Sequence, residues 1–321
     1  GYTKDELNKN INDGILFGVI EKVFTANNSK PQEISNTLNA LAKFGYTKKE
    51  FNKSINNEVL EAAEKVFADD NSNSQSISNT LNALAKFGYT KDELNKSINN
   101  KLLEAAGKVF VNSNSKPQEI SNTLNALAKF GYTKNELNKN INDGILFGAI
   151  EKVFIGNNSQ SISNTLNALA KFGYTKDEFN ESINNELLEA AGKVLTSKKS
   201  ISQNISNTLN ALAKFGYTKK EFNKSINNEL LKATEKVFAD GNSKPQEISN
   251  TLNALAKFGY TKKELNEFIN DEIAFETIEK VFTSKNSSSQ SISIILNALA
   301  KFGYTKEEFN KNINDGILFG A

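Results

Sequence analysis

The chain has 321 residues with 39 basic and 37 acidic side chains, a net charge of +2, which argues against a grossly basic polyanion binder but leaves room for a local basic stripe. It contains no His, Cys, Met or Trp, and every basic residue is Lys. Those absences exclude a disulfide framework and the usual zinc or iron–sulfur ligands, so no metal and no cofactor is expected.

No apolar run approaches the roughly 18 residues needed to span a membrane, and no signal peptide is visible. The chain starts inside a repeat without an initiator Met, as expected for a piece of a longer array. The compartment stays open, with an intracellular one favoured.

Gly-Tyr recurs at Gly1, Gly45, Gly88, Gly131, Gly173, Gly216, Gly259 and Gly303, in steps of 44, 43, 43, 42, 43, 43 and 44 residues. The units are therefore 1–44, 45–87, 88–130, 131–172, 173–215, 216–258 and 259–302, with a partial one at 303–321. A fixed period of this size is the signature of a solenoid.

Within a unit, Thr47-Lys48-Lys49-Glu50 reads as a capping box that opens a helix, here called B. Phe51, Ile55, Val59, Ala62 and Val66 trace an apolar stripe along it for about five turns. Repeats 2, 3, 5 and 6 carry Ile-Asn-Asn-Glu or Ile-Asn-Asn-Lys and predict an unbroken helix. Repeats 1, 4 and 7 insert one residue after Ile11, Ile141 and Ile269. Gly14 and Gly144 each weaken a helix interior by about 1 kcal/mol, which predicts a kink or break in repeats 1 and 4 that repeats 2 and 3 lack. A polar loop follows, and Ser29-Lys30-Pro31-Gln32 predicts a second capping box, repeated at Ser72/Gln75, Ser115/Gln118, Ser200/Gln203, Ser243/Gln246 and Ser287/Gln290, with Asn157 before Gln160. It opens helix A, where Ile34, Leu38, Leu41 and Ala42 share a face and Gly45 stops the helix. The expected fold is all-α: one right-handed α-solenoid of tandem helical hairpins of about 43 residues, spanning on the order of 70 Å at ordinary helix spacings.

The segment Ile34-Ser-Asn-Thr-Leu-Asn-Ala-Leu-Ala-Lys-Phe-Gly45 resembles the core of octotricopeptide-type repeats, a Leu-x-x-x-Leu-Trp-Ala-Leu-Ala-Lys-Leu-Gly pattern. The resemblance covers about a dozen residues in each of seven units. It implies an α-solenoid that tracks single-stranded RNA at about one nucleotide per repeat, as other helical repeat readers do. Asn39, Asn82, Asn125 and their equivalents stand at the family's Trp position, and the unit is longer than the family's.

Helical spacing places Asn36, Asn39 and Lys43 on the polar face of helix A. Stacked repeats turn each into a row. The first is Asn36, Asn79, Asn122, Asn164, Asn207 and Asn250, interrupted by Ile294. The second is Asn39, Asn82, Asn125, Asn167, Asn210, Asn253 and Asn297. The third is Lys43, Lys86, Lys129, Lys171, Lys214, Lys257 and Lys301. Each segment equivalent to 30–44 carries one net positive charge, which against the chain total of +2 leaves −5 for everything else. Lys to phosphates and Asn amides to base edges would suit a single strand.

One turn before the first Asn, the residue varies as Glu33, Ser76, Glu119, Ser161, Asn204, Glu247 and Ser291, which makes it a candidate for base preference. Other readings stay open. The Asn and Lys rows can be ordinary solvated surface with amides bonded between repeats, and the groove can grip a protein partner. The pair Asp13-Gly14 against Asn57-Glu58 faintly resembles the variable pair of TAL-effector-like DNA readers. The Tyr after each Gly can stack on bases, though packing suits its place in a turn better. Regularly repeated Ser and Glu read as caps and solvated faces, so no enzyme activity is expected. End-to-end contact between copies of the array is a further expectation, because apolar faces at its ends lack neighbours.

Overall fold

The computed structural model describes residues 4–98, 101–222, 224–269 and 271–313. All regular structure among them is helical. The chain divides into two compact units, Gly1–Gly156 with Lys171–Gly173, and Asn157–Ala170 with Tyr174–Ala321.

The first unit contains α1 (Lys4–Asn10), α2 (Asp13–Thr25), α3 (Pro31–Phe44), α4 (Lys53–Ala68), α5 (Ser74–Phe87), α6 (Lys91–Ser97), α7 (Lys101–Val111), α8 (Pro117–Phe130), α9 (Lys134–Asn138) and α10 (Asp143–Ile155). The second contains α11 (Ser159–Phe172, whose last two residues fall in the first), α12 (Glu181–Thr196), α13 (Ser202–Phe215), α14 (Lys224–Ala239), α15 (Pro245–Phe258), α16 (Lys262–Asn266), α17 (Asp271–Thr283), α18 (Ser289–Phe302) and α19 (Lys306–Asn312). The A helices are α3, α5 and α8 in one unit and α11, α13, α15 and α18 in the other. Each unit is a solenoid of helical repeats in two layers, A packing on A and B on B in chain order.

Every A helix runs 14 residues and ends at a Gly in the left-handed region, with φ between +84° and +93°. That geometry strains any residue with a Cβ, which is why the Gly returns in every unit. The Leu and Ile stripe is buried in every A helix but α18, where Leu296 is 37% exposed; in α5, Ile77, Leu81 and Leu84 are at most 1% exposed. Beside it, Ser78, Thr80 and Ala83 and their equivalents in α8, α11, α13 and α15 are buried as well, and their small size lets successive A helices approach more extensively than the B helices do.

The caps fall one residue later than the Ser-x-x-Gln pattern predicts. Lys30, Asn73, Lys116, Ile201, Lys244 and Ser288 are the N-cap residues. The Ser before five of them is drawn backward instead: Ser115, Ser200 and Ser243 donate to the carbonyls of Val109, Val194 and Val237 at 2.6, 2.7 and 2.7 Å, and Ser72 and Ser287 donate likewise to Val66 and Val281. A carbonyl left open at the end of the B helix outcompetes the next helix's N–H for the hydroxyl.

Helix B is also corrected. The break in repeats 1 and 4 is present, between α1 and α2 and between α9 and α10, but the other repeats have one too. In repeat 3 the segment splits into α6 and α7. In repeats 2, 5 and 6 the residues after Gly-Tyr-Thr form a turn or a short 3₁₀ piece (Lys176–Glu178), and a 16-residue helix follows. Those three repeats carry Phe where repeats 3, 4 and 7 carry buried Leu94, Leu137 and Leu265. The Phe51 ring packs edge-on to Phe87 at 5.1 Å and stacks on Tyr46, while the Lys48 N–H bonds the Phe87 carbonyl at 2.9 Å. Phe222 and Lys219 repeat both contacts on Phe258. Anchoring to the next repeat holds the segment as a turn. Phe309 lies inside α19, with no later A helix described for it to meet.

Candidate nucleic-acid interface

Positions i, i+3 and i+7 of a helix share a face, and the A helices bring Asn36, Asn39 and Lys43 together opposite the buried stripe. In the first unit, Asn36 is exposed, and Asn79, Asn122, Asn39, Asn82 and Asn125 are half-buried. In the second, Asn164, Asn207, Asn250 and Asn253 are half-buried, Asn167 and Asn210 are only 9% and 8% exposed, and Asn297 is exposed. Among the described residues none of these amides has a hydrogen-bond partner, so bonding between repeats does not explain them. Each amide carries two donors and an acceptor.

The lysines at the C-terminal ends of the A helices, Lys43, Lys86, Lys129, Lys171, Lys214, Lys257 and Lys301, are all exposed. Lys43, Lys86, Lys129, Lys171, Lys257 and Lys301 pair with no carboxylate. Lost hydration on this crowded face holds the Lys129 ammonium below the ordinary lysine range, and the charges of Lys171 and Lys86 add to the effect. Lost hydration lowers Lys171 too. Within the row, Lys129 is thus a cation repelled by its two neighbours, with no carboxylate beside it among the described residues.

The lysine of Gly-Tyr-Thr-Lys contrasts with it. Lys91 meets Glu136 of the following repeat at 2.6 Å, and Lys219 meets Glu264 at 2.7 Å; Lys4, Lys48, Lys176 and Lys262 pair likewise with Glu50, Glu93, Glu221 and Glu308. Each of those Glu residues also closes the capping box on its own Thr, for example Glu93 Oε2 accepting from Thr90 N at 2.8 Å. The Lys48 hydrogen bond, supported by Thr90, holds the Glu93 carboxyl down to about 2. The same lysines lie over the next Tyr ring, Lys48 at 5.7 Å from the Tyr89 centroid.

The tyrosines are structural. Tyr46, Tyr89, Tyr132, Tyr174, Tyr217 and Tyr260 are buried, and burial next to Glu136 raises the Tyr132 phenol to about 12. Their hydroxyls reach back to the preceding B segment. Tyr89 donates to Asn56 and Tyr46 to Asp13, both at 2.7 Å, Tyr304 donates to Asp271 at 2.6 Å, and Tyr217 and Tyr260 donate to Asn184 and Asn227. The one-residue insertion thus places Asp where other repeats place Asn. Of the pair that resembles a DNA reader's, Asp13 serves the neighbouring repeat, whereas in repeat 2 that part falls to Asn56, one residue before Asn57-Glu58.

The base-preference candidates occupy the third position of helix A, where the cap is closed. The carboxylates of Glu33, Glu119 and Glu247 accept from the N–H of Lys30, Lys116 and Lys244 at 3.0, 2.9 and 2.9 Å. Asn204 accepts from Ile201 N and donates to Ser163 at 3.2 Å in each case. Ser76, Ser161 and Ser291 are buried, and their N–H groups donate to Asn73, Asn158 and Ser288. Where the cap residue brings an oxygen, Ser suffices; where it is Lys or Ile, the third residue supplies one. No sequence pattern marked this pairing before the cap position was known.

No described helix is long and apolar enough to cross a membrane. No curated protein matches the chain. An engineered protein of known crystal structure is 16% identical, covering 91% of this chain and 99% of its own, with a TM-score of 0.32. A designed armadillo repeat protein is 14% identical, covering 89% and 100%, also with a TM-score of 0.32. The family model described as RNA-editing substrate-binding complex 6 protein matches residues 8–263, well over half of the chain, and the chain belongs to that family.

Proposed function

We propose that the protein binds single-stranded RNA along the A-helix face, at about one nucleotide per repeat. The observation that carries this reading is the six lysines Lys43, Lys86, Lys129, Lys171, Lys257 and Lys301, which meet no carboxylate among the described residues, beside two rows of amides with no partner among them. Phosphates would relieve the repulsion along the row, and base edges would take up the free amide donors and acceptors. The family description, an RNA-editing substrate-binding complex protein, points the same way. No catalysis belongs to this reading. The resemblance to octotricopeptide repeats supports it through the A helix alone.

A protein-scaffold role is the second reading. The family is described as part of a complex, and Val111 and Ile155 close successive B helices with 61% and 75% of their surface exposed. Fluorescence anisotropy with labelled homopolymeric RNA and DNA of about ten nucleotides separates the two. Low-salt binding of RNA in the micromolar range or tighter is expected. Binding no better than about millimolar, roughly −4 kcal/mol, sinks the RNA reading and leaves the scaffold.

A further inference from the structure

Three positions that differ between repeats are used inside the protein, and the polar face of helix A is the same in nearly every repeat. The third residue of helix A varies among Glu, Ser and Asn, and each choice closes a cap. The B-segment residue that alternates between Asp and Asn accepts a Tyr hydroxyl from the next repeat. The Phe or Leu after Gly-Tyr-Thr-Lys-x-Glu is buried in repeats 2 to 7. Against this, the outward amides and ammonium are Asn, Asn and Lys in six repeats, and Ile294 replaces one Asn in the seventh.

We infer that the face has no positional code and that its affinity follows the base composition of a strand and not the order of its bases. The inference rests on the RNA-binding reading and adds a specificity to it. Identical side chains at successive sites give each base the same free energy wherever it sits, so the sum over sites is unchanged when bases are exchanged. A reader with a different dyad in each repeat behaves otherwise, because moving a base places it opposite the wrong pair. An Asn amide can turn to match a donor–acceptor pair on any base edge, so it sets a preference without reading a sequence. One more consequence follows. A uniform strand longer than the array offers many equivalent registers, so its affinity rises with length through the number of registers alone.

The test uses the whole chain and labelled RNA heptamers: homopolymers of A and C, and three isomers of A4C3 arranged as AAAACCC, CCCAAAA and ACACACA. The three isomers are expected to bind within about threefold of one another. Their log affinities are expected to lie four-sevenths of the way from the C homopolymer to the A homopolymer. Glu119→Gln, which keeps an oxygen for the cap, is expected to leave the order of the homopolymers unchanged. If the heptamers bind and the isomers differ by about tenfold or more, the loss typical of one mismatched contact, the inference is overturned. So is it if Glu119→Gln reorders the homopolymers while the fold is intact. If no heptamer binds, the failure lies with the RNA-binding reading itself.

Discussion

Lys129 offers a single perturbation with two opposite consequences. Its ammonium is disfavoured by lost hydration and by Lys171 and Lys86, so the fold lowers its proton affinity. The cost of holding it is present while the lysine is charged, below its folded pKa, and disappears as pH rises through that value. Lys129→Gln is neutral and polar, so at pH 7 it is expected to raise the midpoint of thermal unfolding. On the binding side, each lysine that meets a phosphate contributes about −0.7 to the slope of log affinity against log salt for single strands. Four such lysines lie in the first unit and three in the second, so full engagement gives a slope of about −5. Between 50 and 200 mM salt the affinity then falls about 900-fold in the parent and about 340-fold in the variant. Differential scanning fluorimetry and salt-dependent anisotropy measure the two effects on one preparation. Lys91→Gln is the control: it removes the partner of Glu136, so it should lower the midpoint and leave the slope alone. An unchanged slope in Lys129→Gln, or a midpoint that drops, would refute the argument that this row is uncompensated and faces phosphate.

Two further predictions concern stability. The Thr123 hydroxyl is buried without a partner, so the nearly isosteric Thr123→Val should stabilise the chain by about 1 kcal/mol, read by urea denaturation; a destabilised variant counts against it. Glu93 has a folded pKa depressed to about 2 from 4.5, so its contribution is present above pH 4.5 and is lost as pH falls toward 2. The stability difference between the parent and Glu93→Gln should therefore shrink across that window, and a constant difference would show that the pairing with Lys48 contributes nothing.

The repeat period, the A helix and its Gly stop are legible in sequence because each depends on local chemistry: a 3.6-residue stripe and one residue able to take positive φ. The caps are less legible because two patterns overlap one residue apart. Ser72 looks like a cap until the Val66 carbonyl, outside the pattern, claims its hydroxyl. The turn in helix B is hidden for a similar reason, since Phe51 extends the apolar stripe while its ring and the Lys48 backbone are anchored 36 to 39 residues downstream. The site rows can be listed from spacing alone. Their availability cannot: Lys43 and Lys48 look alike in sequence, yet only Lys48 meets a carboxylate, 45 residues away.

Because the junctions of repeats 5, 6 and 7 use the same parts, these repeats are interchangeable in the sense that matters for recombination. Removing residues 216–258 would bring Lys176 to Glu264 in place of Glu221, and Asn184 to the hydroxyl of Tyr260 in place of Tyr217. Both new pairs have the chemistry of the old ones. Asp and Asn both accept from a Tyr hydroxyl, so the two repeat types are equally compatible neighbours. An in-frame gain or loss of 43 residues therefore leaves no unmatched seam. The array's length can change by unequal exchange between its near-identical segments while its junctions stay satisfied.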